Sequence, residues 1–167
     1  KTKEEIFKEL SYQTRQDIRT YEKYCVKTRV LNEDQLDVLD EMEKETSERQ
    51  DFEAMSLDYY KDLYKFYGKS HIETVLSYLD LDAYAIKMQS EFDKTSKDIE
   101  KTKAFLEQNP GTVKKEKRLK TDEEYYNSLL KKLSHIEELK QEYGKEIPLA
   151  CCLFVKYGHQ IVYLVGS

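Results

Sequence analysis

The chain is poor in the residues that most often announce a chemistry. Five glycines in 167 residues leave no glycine-rich loop of the kind that cradles phosphates through close backbone approach. The three histidines, His71, His135 and His159, stand far apart and lack metal-ligand spacing. No Ser-His-Asp or Cys-His constellation can be drawn either, and His135 reads as a helix surface group. The three cysteines are Cys25 and the adjacent pair Cys151 and Cys152. An odd count with two neighbours in an apolar run excludes a disulfide framework and points to buried thiols in a reducing cytosol. Long hydrophobic runs are also missing. The longest, Ile147–Val155, is strand-sized, so neither a bilayer span nor a signal peptide is read. The sequence has no initiator Met and stops just after a strongly apolar strand, so both ends read as internal to a longer protein. A net charge of −5 argues against a generally nucleic-acid-binding surface.

Charge and tyrosine are plentiful instead. Charged residues make up 37% and hydrophobic residues 39%, which implies a modest core under a heavily solvated surface. The fourteen tyrosines read mainly as half-buried packing residues with a wet hydroxyl, and a few could line a ligand site. Carboxylate pairs abound, but in so charged a chain they read as solvated faces rather than as a general acid and base. Charge is unevenly spread. Residues 1–81 carry net −6, residues 82–143 balance 13 basic against 13 acidic groups, and the tail carries +1. Inside the balanced stretch sits a basic cluster, Lys114, Lys115, Lys117, Arg118 and Lys120. Such a cluster either meets phosphates, which needs only local positive charge, or is a solvated tip balanced by Glu116, Asp122, Glu123 and Glu124.

That stretch, residues 81–143, organises the rest. Leu81, Ala85, Met88, Phe92, Thr95, Ile99, Thr102 and Leu106 alternate at spacings of four and three. Leu119, Tyr126, Leu129, Leu133, Ile136 and Tyr143 lie on a matching seam. A period of 3.5 predicts two coiled-coil helices facing each other. Asn109-Pro110-Gly111-Thr112 between them predicts a reversal, because Pro110 cannot continue a helix and Gly111 accepts backbone angles other residues avoid. At 1.5 Å per residue the first helix reaches roughly 40 Å, an arm that would project from a body built by its flanks.

The flanks read as follows. Residues 4–24 are helical, with Ser11 capping a second segment. Val26–Leu31 is a strand, β-branched at alternate positions. Asn32, with Gln35 three residues on, caps a helix running to about Ser47 with Leu36, Leu39 and Met42 on its buried side. Residues 48–55 connect to a helix capped by Ser56 and ended by Gly68. Ile72–Leu79 is a strand, and Asp80 starts the arm, which Gly144 closes. Pro148 belongs at a strand beginning or edge. From Leu149 both faces of the next strand are apolar, which predicts a strand covered on both sides. Tyr157-Gly158 turns the chain into a last strand, Ile161–Val165. The expected fold is α/β (α+β): residues 1–80 and 144–167 form a mixed sheet with helices, and a long antiparallel helical coiled-coil hairpin is inserted between neighbouring strands. No internal repeat or low-complexity segment is present.

Four stretches carry a family resemblance. They are Thr14-Arg15-Gln16-Asp17-Ile18-Arg19 leading to Tyr24-Cys25-Val26-Lys27; Thr46-Ser47-Glu48-Arg49 with Phe52 and Ser56-Leu57-Asp58-Tyr59-Tyr60; the arm entered through Leu79-Asp80-Leu81; and Ile147-Pro148-Leu149-Ala150, Leu153-Phe154-Val155-Lys156-Tyr157-Gly158 and Val162-Tyr163-Leu164-Val165-Gly166-Ser167. In order and spacing they resemble the FemABX family of peptidoglycan peptidyltransferases, with Cys25 standing where glycine is usual. The resemblance implies part of an acetyltransferase-like (GNAT) domain in a cytoplasmic aminoacyltransferase with no cofactor and no metal. Its partners would be an aminoacyl-tRNA and a peptidoglycan precursor, lipid-linked or nucleotide-linked, with peripheral association at the inner membrane face in the lipid-linked case. It implies further that the arm contacts tRNA, through Lys114, Lys115, Lys117, Arg118 and Lys120.

The family segment matching residues 53–59 supplies a Thr, an Arg and a Tyr to a nucleotide-linked precursor. Here Glu53, Met55 and Tyr59 stand at those positions, so only Tyr59 is carried over as precursor-binding. The missing Arg removes a bidentate ligand for phosphate or carboxylate. The family's Phe-Lys pair, whose Lys is thought to assist transfer, is not among these residues. No catalytic residue is therefore assigned here, and the 167 residues alone are expected to be inactive. The competing expectation is a protein-docking module that uses the coiled-coil arm.

Overall fold

A computed structural model describes residues 1–167 and divides the chain into two compact units. One comprises Lys1–Leu79 with Ile147–Ser167, the other Asp80–Glu146.

The first unit begins with two short helices, α1 (Lys3–Glu9) and α2 (Tyr12–Lys23). The break between them is chemical. Thr2 and Glu5 form a reciprocal capping box on α1, and Ser11 accepts from the Thr14 N–H at 3.1 Å to open α2. Cys25 ends the segment with φ 62°, the left-handed region that a β-branched or bulky residue avoids. Strand β1 (Val26–Leu31) follows, then a 3-10 turn at Glu33–Gln35 and helix α3 (Asp37–Gln50). The helix expected from Asn32 therefore starts later. Gln35 Oε1 accepts from the Asn32 N–H at 3.2 Å, and that closure completes a tight turn before α3 winds. Helix α4 (Leu57–Tyr67) has Ser56 as its cap and Gly68, at φ 76° and ψ 150°, as its stop.

The sheet runs β1-β2-β3-β4, with β2 at Ile72–Asp80, β3 at Glu146–Tyr157 and β4 at Gln160–Gly166. It is antiparallel throughout, which corrects the expected mixed sheet. Val26 faces Leu79 and Leu31 faces Thr74 across β1–β2. The Lys156 N–H donates to the His71 carbonyl at 2.7 Å at the far end of β2–β3. Tyr157 faces Gln160 across β3–β4, with a register shift at Leu153/Phe154. Each strand follows its neighbour in the chain, so no crossover makes a parallel pair.

One sheet face carries the core: Leu31, Ile72, Leu76, Cys151, Leu153 and Val155 pack with Leu36, Leu39, Tyr60 and Tyr64. The Tyr64 hydroxyl accepts from the Thr74 N–H at 3.0 Å and donates to Thr74 Oγ1 at 2.9 Å. The opposite face of β3 is only half-buried at Ala150, Cys152 and Phe154, a second correction: the strand is covered on one side within this unit, not on both. A third concerns α3, where Met42 is half-buried while Asp40, Glu43 and Ser47 are buried. The inward stripe of α3 turns polar after Leu39.

The second unit is a helical hairpin, α5 (Leu81–Gln108) and α6 (Val113–Tyr143). Asp80 Oδ1 accepts from the Ala83 N–H at 2.8 Å to start α5. Residues 109–112 make the reversal, with Gly111 at φ 82°. The two helices pack antiparallel. Lys140 meets Asp82 near the base, the Tyr125 hydroxyl donates to Glu91, and Lys103 meets Glu123 further out. Leu81, Met88, Ile99, Thr102, Leu129 and Ile136 are buried along the seam, and Phe92 stacks on Tyr126 at 4.6 Å between centroids. Tyr143, expected on the seam, is exposed. Between Leu119 and Tyr126 the inward position falls on Asp122, whose Oδ2 is buried with only Arg118 Nε nearby, at 3.4 Å.

Candidate functional site

Two places follow from the sequence, and they lie in different units. The first is the connection from α3 to α4. Asp51 takes the left-handed conformation at φ 55° to end α3, and the Phe52 N–H closes back on the Ser47 carbonyl at 3.2 Å. Four residues later Ser56 Oγ accepts from the Tyr59 N–H at 3.3 Å. That bond fixes the first turn of α4 at the residue singled out from the sequence. Tyr60 is fully buried and anchors the helix, and its ring meets that of Tyr59 edge-on at 5.8 Å. Tyr59 is thereby held outward, and Phe52, Met55 and Tyr59 are all exposed. The surface has an aromatic and apolar character with the Tyr59 hydroxyl as a polar handle. Glu53 and Met55 bring no cation to it. Arg49, on the last turn of α3, reaches Thr46 Oγ1 at 3.4 Å.

The second place is the start of α6. Lys114, Lys117 and Lys120 are exposed and make no ion pair. Lys115 lies over the Phe105 ring at 5.3 Å to the centroid, and Arg118 points to Asp122. Thr112 supplies no side-chain cap here. Its hydroxyl instead donates to the Asn109 carbonyl at 3.0 Å. Lys114 and Lys115 thus stand in the first turn, at the positive end of a helix dipole where acidic residues would be stabilising, and Lys117, Arg118 and Lys120 follow in the second. Only Glu116 offsets them in the first turn. An arrangement that works against local stability is suited to receiving an anion.

Other groups were not legible as site residues. A recess of about 780 Å³ between α2 and the sheet is lined by Ile18, Tyr21, Tyr78 and Leu149, with Glu22, Lys27, Thr28 and Ser77 as its charged and polar groups. Glu43 is buried beside Asp40, and both effects, burial first, push its carboxyl above the usual range. Burial likewise pushes the Cys151 thiol up to about 12, with Cys152 adding to it. His71 Nδ1 pairs with the neighbouring Ser70 hydroxyl and His135 with Glu138, both exposed. No three His, Cys, Asp or Glu side chains come together as a metal site. No helix is long and apolar enough to cross a membrane.

A sheet-and-helix body with a helical hairpin between its second and third strands is a family architecture. The chain belongs to the FemAB family, whose model matches residues 1–167. Among individual proteins, it is 25% identical to aminoacyltransferase FemA of Staphylococcus epidermidis over all 167 residues, and 25% identical to FemA of Staphylococcus aureus over the same span. It spans about 40% of the length of these relatives. The crystal structure of FemX superposes with a TM-score of 0.77 at 20% identity, covering all of this chain and 42% of that one. That likeness shows the fold.

Proposed function

We propose that these residues are the hairpin-bearing part of an aminoacyltransferase that builds the interpeptide bridge of peptidoglycan. Membership of the FemAB family along the whole chain carries this reading, and relatives named aminoacyltransferase support it. In the reaction the amine of the precursor peptide attacks the ester carbonyl of an aminoacyl-tRNA. An amide forms, and the ester oxygen leaves with the tRNA.

Within this scheme the antiparallel sheet is part of an acetyltransferase-like domain, and α5–α6 is its coiled-coil arm. Tyr59 touches the precursor through its outward hydroxyl. Lys114, Lys115, Lys117, Arg118 and Lys120 meet tRNA phosphates, for which the unpaired lysines at the α6 start provide local positive charge. Met55 in place of an Arg favours a precursor held without a bidentate guanidinium, such as a lipid-linked one met at the inner face of the membrane from the cytoplasm. No residue of this stretch is assigned to bond making, so the 167 residues alone do not transfer.

The test is transfer of a labelled amino acid from aminoacyl-tRNA to lipid-linked and nucleotide-linked precursors by the whole transferase of which these residues are a part, with Tyr59→Phe and the five basic residues changed to Glu. Loss of transfer in both variants supports the reading. Absence of transfer to any precursor, with the protein folded, refutes it. A second reading, docking of another protein on the hairpin, is favoured by the exposed apolar residues Ile86 and Leu130. Undiminished tRNA binding by the five-residue variant would favour that reading.

A further inference from the structure

The two most exposed large apolar side chains of the chain stand at the same end of the first unit. Phe66 is 81% and Tyr157 79% exposed, and Ile161 follows at 68%. The topology brings their segments together. α4 ends at Gly68, and the His71 N–H donates to the Gly68 carbonyl at 2.9 Å, a tight turn into β2. The His71 carbonyl then accepts from the Lys156 N–H at 2.7 Å, which sets the start of β2 beside the end of β3. Tyr157 faces Gln160 across the turn into β4. The turn after α4 and the turn after β3 are therefore neighbours. Residues 65–71 and 156–161 together hold Phe66, two tyrosines, Ile161, three lysines and two histidines, and no carboxylate. Carboxylates reach this end from adjoining segments. Asp62 pairs with Lys65, Glu33 with Lys69 and Glu73 with Lys156, and Asp34 follows Glu33. Charge here is close to balanced, so apolar area rather than net charge would carry an association.

We propose that this end, led by Phe66 and Tyr157, inserts into the headgroup region of a phospholipid bilayer. Its shape decides the occupant. Two rings on separate turns, each about four-fifths exposed, are projections rather than the walls of a groove. The neighbouring recess of about 730 Å³, between α4 and the end of β1, is lined by neither ring. A protein partner would need a matching cavity for each projection, whereas a fluid interface closes around them. The side chains also suit that depth. A tyrosine buries its ring and keeps its hydroxyl wet, and a lysine lays its stem along apolar surface with its ammonium among the headgroups. The exposed pairs Lys65–Asp62 and Lys69–Glu33 stabilise the fold little, so these lysines can exchange their carboxylates for lipid phosphates. The inference rests on the reading above, in which the precursor is lipid-linked, and deepens it by assigning the surface that meets the bilayer.

Phe66→Ser/Tyr157→Ser in the whole transferase tests this, with Ile86→Ser, an equally exposed apolar residue on the hairpin, as the comparison variant. Binding to vesicles of phosphatidylglycerol and phosphatidylcholine is measured by sedimentation, without precursor. Transfer to a nucleotide-linked precursor is measured separately, and thermal melting is followed by circular dichroism. Binding strength scales with the apolar area inserted, so the double variant should bind vesicles about tenfold or more weakly. Ile86→Ser should bind as the parent does, and melting should be unchanged in both. Parental vesicle binding by the double variant overturns the inference and leaves the functional proposal standing. So does a lowered melting temperature in the double variant, which would show the rings packed against the rest of the protein. A parent that binds no vesicle overturns it in favour of a protein partner. A parent that binds through this end but transfers to no precursor keeps the contact and removes the functional reading.

Discussion

The Tyr64 hydroxyl replaces a strand partner for the backbone of β2, and its removal has a calculable cost. Thr74 is fully buried and its N–H has the Tyr64 oxygen at 3.0 Å as acceptor, while its own hydroxyl accepts from the same group. Tyr64→Phe preserves the ring and its packing but orphans a buried amide donor. An unsatisfied buried donor costs about 1–3 kcal/mol and the lost hydroxyl pair about 1 kcal/mol more, so the expected loss is about 2–4 kcal/mol. Thr74→Val keeps the hydrogen bond from the residue-74 amide to Tyr64 but leaves the buried Tyr64 O–H without its acceptor, for about 1–3 kcal/mol. Urea unfolding followed by tyrosine fluorescence gives both values. Amide exchange at Thr74 gives an independent reading, since 2 kcal/mol corresponds to exchange roughly 30-fold faster if opening is global. If Tyr64→Phe unfolds within about 0.5 kcal/mol of the parent, and Thr74 exchange is unchanged, the hydroxyl is not what satisfies that amide.

Three more expectations come from the same structure. Gly68 sits at φ 76° and ψ 150°, a region essentially reserved for glycine, so Gly68→Ala should lower the urea midpoint by an amount equivalent to about 1–3 kcal/mol. Cys151 keeps its proton in the folded state up to about 12, whereas an unfolded thiol ionises near about 8.5. Between those values the unfolded state holds fewer protons, so stability falls as pH rises through that window. Unfolding of Cys151→Ala measured from pH 8 to 11 should show a shallower decline. In the hairpin, Asp122→Leu replaces a buried carboxylate oxygen with a seam residue and should raise the melting temperature of the helical signal, by an amount equivalent to about 1 kcal/mol. A fall would show that its pairing with Arg118 outweighs the burial.

What the sequence made legible was local or periodic. Ser11, Ser56 and Asp80 announce helix starts because each cap acts within three residues. Gly68, Gly111 and Gly144 announce stops because each takes a positive φ. The hairpin seam was readable because sixty residues repeat one spacing, and it faltered at Asp122 and Tyr143, where that spacing lands on side chains that resist burial. Pairing direction in the sheet was not readable, since it depends on which strands meet rather than on any strand's own residues. The polar inward stripe of α3 was hidden by residue type: Leu36, Leu39, Glu43 and Ser47 keep helical spacing, but an acidic residue there reads as solvent-facing. Tyr59 and the basic cluster came from resemblance and local charge.

The last strand has a practical consequence. β4 lies at the border of the sheet, and Ile161, Val162, Tyr163 and Leu164 on it are exposed. Gln160–Gly166 contains neither a charge nor a proline, the two usual guards of an open border. Its outer backbone groups are a ready template for another strand. Solutions of these 167 residues should therefore cloud as concentration rises, and a lysine in place of Val162 should keep them clear.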